Sequence, residues 1–151
     1  FTVQKEVAGR ICAEEGSKEW SSFSLLAQAD YDVEIGFDIP PGSFYPPPKV
    51  HSQVVVFQRR SESRIPKTDR SAFHLLVREL FSQRRKTLRN NLLRSKVGAR
   101  IGREGVEELL LRSGIDPSRR PETLLWEDIL SLSAHLSSIP ATRSEGTSQG
   151  R

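Results

Sequence analysis

Pro40-Pro41-Gly42-Ser43-Phe44-Tyr45-Pro46-Pro47-Pro48-Lys49-Val50-His51-Ser52 is the stretch on which the reading of this chain turns. Its five prolines among thirteen residues hold φ near about −65° at five places, so the segment is stiff before any partner arrives. Pro46 also drives Tyr45 away from the α region and toward an extended backbone. On its N-terminal side, Tyr31, Val33, Ile35, Phe37 and Ile39 alternate with Asp32, Glu34, Gly36 and Asp38, which predicts a strand over 31–39. On its C-terminal side, Val54-Val55-Val56-Phe57 is a β-branched run fit for a second, buried strand. The stretch therefore reads as a rigid arch joining two strands, with Phe44 and Tyr45 at its crown and one cation, Lys49, on its descending limb. Two readings stay open. Such an arch is a plain connector whose ring plugs the edge of a core. Alternatively, it offers a flat ring and a nearby charge to a nucleobase on its phosphate backbone, where stacking is worth roughly 1–3 kcal/mol per base.

Outward from the arch, Phe1 to Val3 reads as the end of a buried strand. Gln4 to Ala13 reads as a short helix with Val7, Ile11 and Cys12 on one side, and Phe23 to Ala29 as a second helix. Beyond the second strand, Arg59 to Lys67 is charged, contains Pro66 and reads as a linker. The character then changes. Thr68 and Asp69 offer helix-capping chemistry, and Phe73, Leu76, Val77, Leu80 and Phe81 form a stripe at helical spacing. Another helix is expected to start at Gly102 and Glu104, with Val106, Leu109 and Leu110 inward and Gly114 as its stop. A last helix is carried by Leu125, Ile129, Leu132 and Leu136, and from Pro140 the tail has nothing to bury. The order is strand–helix–helix–strand–strand, then helices only. About three strands make half a sheet domain, so the missing half is expected upstream of Phe1. An opening inside the apolar Phe1-Thr2-Val3 and a complete lack of methionine lead to the same expectation of a partial chain.

Composition bounds the function classes. A formal charge of +4 and a pI near 9.6 lean toward a polyanionic partner. The single cysteine, Cys12, excludes an internal disulfide and points to a reducing compartment, hence a cytoplasmic protein. With His51, His74 and His135 scattered, no metal site is expected. No run approaches the ~18 apolar residues of a membrane span. Between Leu80 and Arg103 stand Arg84, Arg85, Lys86, Arg89, Arg94, Lys96, Arg100 and Arg103 without one Asp or Glu. If helical, Arg85 and Arg89 share a face at i, i+4 and repel unless an anion lies opposite. A solvated face is the bland reading of a charge run; the unbroken sign favours nucleic acid. Asn90 and Asn91 either add polar contacts or end a helix.

Three strings, in order, resemble those of the ribosomal RNA adenine dimethyltransferases, relatives of the erythromycin-resistance methylases. Gln4-Lys5-Glu6-Val7-Ala8 with Arg10 is similar to the segment that follows the family's catalytic motif. Pro40 to Ser52 resembles its late active-site motif. Phe81-Ser-Gln-Arg-Arg-Lys-Thr-Leu-Arg-Asn-Asn-Leu92 resembles the signature of its small helical C-terminal domain. Ser113-Gly-Ile-Asp-Pro117 with Arg120-Pro-Glu122 adds to a likeness that runs from Phe1 to about Ser138.

The resemblance implies an α/β then all-α architecture. Residues 1–60 would be the C-terminal half of a Rossmann-like S-adenosylmethionine-dependent methyltransferase domain and 61–67 a linker. Residues 68–139 would be a helical RNA-binding domain, and 140–151 a disordered tail. It implies dimethylation of the exocyclic amine of adjacent adenosines in small-subunit ribosomal RNA, on a pre-30S-type subunit, by a monomer. Residue by residue, Phe44 matches the aromatic that stacks on the flipped adenine. Lys49 matches a backbone contact, and Arg84, Arg85, Lys86 and Arg89 match the RNA-facing signature. Tyr45 stands where relatives vary and is expected to pack, and Glu6 reads as a surface helix carboxylate. The opposing Asn-Leu-Pro-Tyr type motif is absent here, and so is any Gly-x-Gly. S-adenosylmethionine would therefore be held upstream of Phe1, and this chain alone is expected not to methylate. The competing reading is a non-catalytic RNA-binding relative of the same fold, serving in ribosome assembly or transcription.

Overall fold

The two strand patterns flanking the arch pair with each other. In the computed structural model, which describes residues 1–142, β2 (Tyr31–Ile39) runs antiparallel to β3 (Ser52–Arg59), with Val33 opposite Phe57 and Ile35 opposite Val55. The register slips between Ile35 and Asp38, at Gly36, where a Cβ would stand 3.3 Å from the Val54 carbonyl oxygen. Glycine lets the two backbones approach there while the extra residue bends the strand. The other edge of β3 takes β1 (Thr2–Gln4), giving the order β1-β3-β2. Both outer strands are antiparallel to β3 and so parallel to each other. Their C-terminal ends, and the arch, lie together at one end of the sheet.

Two helices cover one face of this sheet, α1 (Lys5–Ile11) and α2 (Ser22–Asp30). Ala8 and Ile11 pack on Val55, with Val3, Val33 and Phe57 around them. The expected burial of the first strand does not hold. Phe1 is 84% exposed, and Ile35, although opposite buried Val55, is exposed with Phe37, so the two helices cover only part of their face of the sheet. α1 is also shorter than the expected span of 4–13.

Helices α3 (Arg70–Phe81), α4 (Leu88–Arg94), α5 (Lys96–Ser113) and α6 (Trp126–Ser138) make up the rest. The predicted stripe of α3 is buried from Phe73 to Leu80 against Leu92, Leu109, Ile129 and Leu132. Two sequence expectations are corrected. Thr68 and Asp69 do not cap α3; the Thr68 hydroxyl bonds the Asp69 carboxylate instead, within a 3-10 turn. The helix expected from Gly102 begins at Lys96, where the Ser95 hydroxyl accepts the Val97 N–H, and Gly102 is a break inside it at φ 73° and ψ 175°. α4 is a separate helix, started by the Thr87 side chain. Gly114 does end α5 in the left-handed conformation its missing Cβ permits.

The large core does not stop at residue 68. Trp20, Leu25, Ala29 and Ile65 belong to the same buried cluster as α3 to α6. The indole N–H of Trp20 donates to the Leu124 carbonyl at 2.8 Å. The Glu15 carboxylate accepts the first N–H of α6 from Trp126. The joining segment 61–67 is anchored, with the Arg64 N–H on the Ala29 carbonyl, the Arg64 guanidinium over Trp126, and Ile65 buried. The expected disorder of the tail falls mostly outside the described residues. Within them, Thr142 is pinned, its N–H and hydroxyl both donating to the Arg100 carbonyl.

Candidate nucleic-acid interface

The arch rises from the end of the sheet where β1 and β2 finish. Pro41–Ser43 forms one 3-10 turn, closed by the Ser43 and Phe44 N–H groups on the Pro40 and Pro41 carbonyls. Phe44 then turns extended, at φ −117° and ψ 153°. Phe44 is 38% exposed and belongs to neither core cluster, so it does not plug the core edge. Tyr45 is fully exposed, which corrects the expectation that it packs. Lys49 is exposed and makes no ion pair among the described residues.

The base of the arch is tied to the start of α1. The Lys5 N–H donates to the His51 carbonyl at 3.0 Å, and its ammonium lies 3.6 Å from the Asp38 carboxylate. Asp38 also accepts from the Gln53 amide. That hydrogen bond, with the Lys5 charge, holds the Asp38 carboxyl below the usual carboxylate range. Glu6, as expected of a surface carboxylate, pairs with Arg10 at i, i+4.

Residues 82–87 are a turn and not a helix, so the expected face shared by Arg85 and Arg89 does not form. Arg84, Arg85 and Lys86 instead fan from a loop braced on three sides. Asn91, buried, donates from its amide to the Gln83 and Lys86 carbonyls. The Leu88 and Arg89 N–H groups, left free at the start of α4, donate to the Arg119 and Pro117 carbonyls. The Arg84 guanidinium donates to the Trp20 carbonyl at 3.1 Å. Arg85 is exposed, Lys86 half-buried, and Arg89 is engaged across the α4–α5 contact with Glu107 at 2.6 Å. Of the expected set, the structure thus brings Arg84, Arg85 and Lys86 together and points Arg89 at a carboxylate. Asn91 as the latch of this turn was missed, since one sequence offers no sign that an Asn in a basic run is buried.

Two open clefts flank the turn. One, of about 560 Å³, is lined by Lys5, Glu6, Gly9, Arg10, Lys18, Glu19 and Arg84. The other, of about 650 Å³, is lined by Gly16, Ser17, Lys18, Arg84, Arg85, Arg120, Glu122 and Thr123. Lys18 and Arg120 bring to this surface cations that lie far from the basic run in sequence. No cluster of three metal-binding side chains occurs among the described residues, and no described helix is long and apolar enough to cross a membrane.

The family model of the ribosomal RNA adenine dimethylases matches residues 1–135. The ribosomal RNA small subunit methyltransferase A of Syntrophotalea carbinolica is 47% identical over 125 residues, covering 83% of this chain and 46% of that protein. Its namesake in Geobacter sulfurreducens is 40% identical over 134 residues, covering 89% and 48%. The chain thus spans about half the length of the curated relatives it matches. Among solved structures, a dimethyladenosine transferase from Plasmodium falciparum shares the fold with a TM-score of 0.68 at 22% identity, over 93% of this chain and 57% of that one. The 23S rRNA methyltransferase ErmE shares it at 0.57 and 22% identity, over 89% and 52%. With a family model covering its sheet, its arch and nearly all of its helices, this chain belongs to the ribosomal RNA adenine dimethylase family.

Proposed function

We propose that this chain is the C-terminal portion of an S-adenosylmethionine-dependent methyltransferase that dimethylates the exocyclic amine of adenosines in small-subunit ribosomal RNA. In this reading, residues 1–60 complete a Rossmann-like domain, 61–67 join it to the rest, and 68–139 dock the RNA. The protein acts as a cytoplasmic monomer on immature small subunits. The observation that carries the reading is the exposed Phe44 ring on a stiff arch at the C-terminal ends of the two parallel strands β1 and β2. That end of an α/β sheet is where ligands of such folds bind.

The chemistry asks for such a ring. The exocyclic amine of adenine is a poor nucleophile because its lone pair is delocalised into the purine, and inside a helix the base is out of reach. A flipped adenine needs a flat partner to replace its lost stacking. Phe44, held by the turn at Pro41–Ser43, supplies one at little cost in ordering. Lys49 and the braced trio Arg84, Arg85 and Lys86 hold phosphates, with counterion release making the grip salt-dependent. S-adenosylmethionine supplies the methyl group, but the residues present do not fit it. The cleft at the start of α1 is lined by Gly9 and by the charged side chains of Lys5, Glu6, Arg10, Lys18, Glu19 and Arg84, not by the aliphatic and aromatic side chains that would pack a nucleoside, and no Gly-x-Gly occurs. We assign its binding, and the second wall of the adenine site, to the half of the relatives' length that this chain does not span. On this reading the chain by itself does not methylate.

The test is methyl transfer from labelled S-adenosylmethionine to under-methylated small ribosomal subunits by the full-length protein. Phe44→Ala is expected to lower turnover by the ~1–3 kcal/mol of a lost stack, about 5- to 150-fold, with subunit binding largely kept. Joint replacement of Arg84, Arg85 and Lys86 by alanine is expected to act through binding. Salt-sensitive RNA binding without any transfer by the wild type would overturn the enzymatic reading in favour of a non-catalytic assembly role.

A further inference from the structure

The last rungs of the sheet before the arch join all three strands. Val3 and Asp38 face Gln53 from its two sides, and Gln4 and Ile39 face Ser52 in the same way. Just behind these rungs the ladder between β2 and β3 slips. The prolines stiffen the arch internally, yet a stiff body standing on two rungs beside a bulge still swings about its feet. One residue ties both feet. Lys5, the first residue after β1, donates its N–H to the carbonyl of His51 at the foot of the descending limb, at 3.0 Å. Its ammonium lies 3.6 Å from the carboxylate of Asp38, at the foot of the ascending limb. Gln53, buried and directly across from Asp38, donates its amide to that same carboxylate and so aims it. The ion pair is half exposed, 59% at Lys5 and 51% at Asp38, and such pairs add little to stability. What the arrangement fixes is direction, since α1, β2 and β3 meet in one contact under the arch.

We propose that Lys5 is a positioning residue for methyl transfer, holding the Phe44 arch at a set tilt against the end of β1 through Asp38. The proposal rests on the reading of Phe44 as the ring that stacks on the target adenine. Phe44 stands at the crown, several residues beyond both feet, so a small tilt at the feet becomes a larger displacement of the ring. Ligands of such folds lie at the C-terminal ends of the strands, and the ring has to present the adenine amine to the methyl donor there. Misplacement of a reacting group by about 1 Å costs on the order of 100-fold in rate. Lys5 itself touches neither base nor donor in this scheme. A phosphate contact is the competing role for an exposed lysine, and the two roles move different kinetic constants. A phosphate contact sets KM, whereas a clamp on the arch sets kcat.

The experiment measures methyl transfer by the full-length protein on under-methylated small subunits, in the wild-type and Phe44→Ala backgrounds. Lys5→Met and Asp38→Asn are each expected to lower kcat about five- to twentyfold, with KM within about twofold and the urea midpoint kept. In the Phe44→Ala background the same changes are expected to cost less than about twofold, because a clamp has nothing to position once the ring is gone. The reversed pair, Lys5→Glu with Asp38→Lys, is expected to regain most of the lost kcat. The Gln53 amide can turn to accept from an ammonium through its carbonyl, and a loss through misfolding would not be regained. Unchanged kcat in the single variants, an equal loss in both backgrounds, or no recovery in the reversed pair would overturn the clamp. The wild type's activity and its dependence on Phe44 would then leave the enzyme assignment standing. A wild type that transfers no methyl group, or one indifferent to Phe44→Ala, would instead remove the reading beneath it.

Discussion

Arg84 and Arg85 are neighbours of the same charge with different duties. The Arg84 guanidinium donates to the carbonyl of buried Trp20, whereas Arg85 is exposed and lines the cleft with no hydrogen-bond or ion-pair partner among the described residues. Arg84→Ala is expected to cost about 0.5–1.5 kcal/mol, the net worth of a hydrogen bond. Arg85→Ala should stay within about 0.5 kcal/mol, as surface changes do. Urea denaturation of the two variants checks this, and equal losses would show that Arg84 is not a strut. A second residue-scale pair is Asp30 with Arg70, joined by two hydrogen bonds of 3.1 and 3.2 Å. These bonds hold the Asp30 carboxyl below its ordinary range. The unfolded chain therefore binds the proton more tightly, and the pair's contribution is present above the unfolded value of about 4 and lost as pH falls below it. Arg70→Ala is expected to cost up to ~1 kcal/mol at pH 7, the discount reflecting partial exposure, and progressively less below pH ~4. A loss that persists undiminished in strong acid would contradict the pairing.

At the scale of elements, α5 is two helices joined at one residue. Gly102 sits at φ 73° and ψ 175°, a combination essentially reserved to glycine. The break leaves the Arg100 carbonyl free for Thr142. Gly102→Ala is expected to cost about 1–3 kcal/mol, read as a lowered denaturation midpoint at an unchanged slope. Straightening of α5 without loss would instead appear as added helical ellipticity. Much of the element order was legible, since β2, β3 and the stripes of α3 and α6 each carry a strong period. The basic turn and α4 were not. A run such as Arg84-Arg85-Lys86 has no apolar period to read, and only Thr87 and the distant carbonyls of Pro117 and Arg119 decide where the helix starts. The site was legible in the same uneven way. Phe44 and the basic trio stand in strings with their own character, whereas Lys18, Arg120 and Asn91 join it only through folding.

For the whole molecule, the boundary drawn by composition at residues 61–67 does not divide the packing. Trp20 has no exposed surface, packs edge-on to Trp126 and hydrogen-bonds Leu124, so the helical part is completed by a loop of the α/β part. Trp20→Ala is expected to destabilise the helices by about 3–5 kcal/mol, as large aromatic deletions do. It should shift the far-ultraviolet circular dichroism transition along with the fluorescence of the remaining Trp126. Helices that melt unchanged would show the two parts to be independent. The sequence by itself determined the local choices, because alternation, helical spacing, proline and glycine act within a few residues. Those fixed the strands beside the arch, the apolar stripes, the stop at Gly114 and the sign of the charge near Arg84. Only the tertiary structure decided that Glu15 caps α6, that Trp20 closes the helical core, and that Lys18, Arg84 and Arg120 line one cleft. Each of these joins residues tens of positions apart, and such contacts depend on how the elements pack and not on any pattern the chain carries locally.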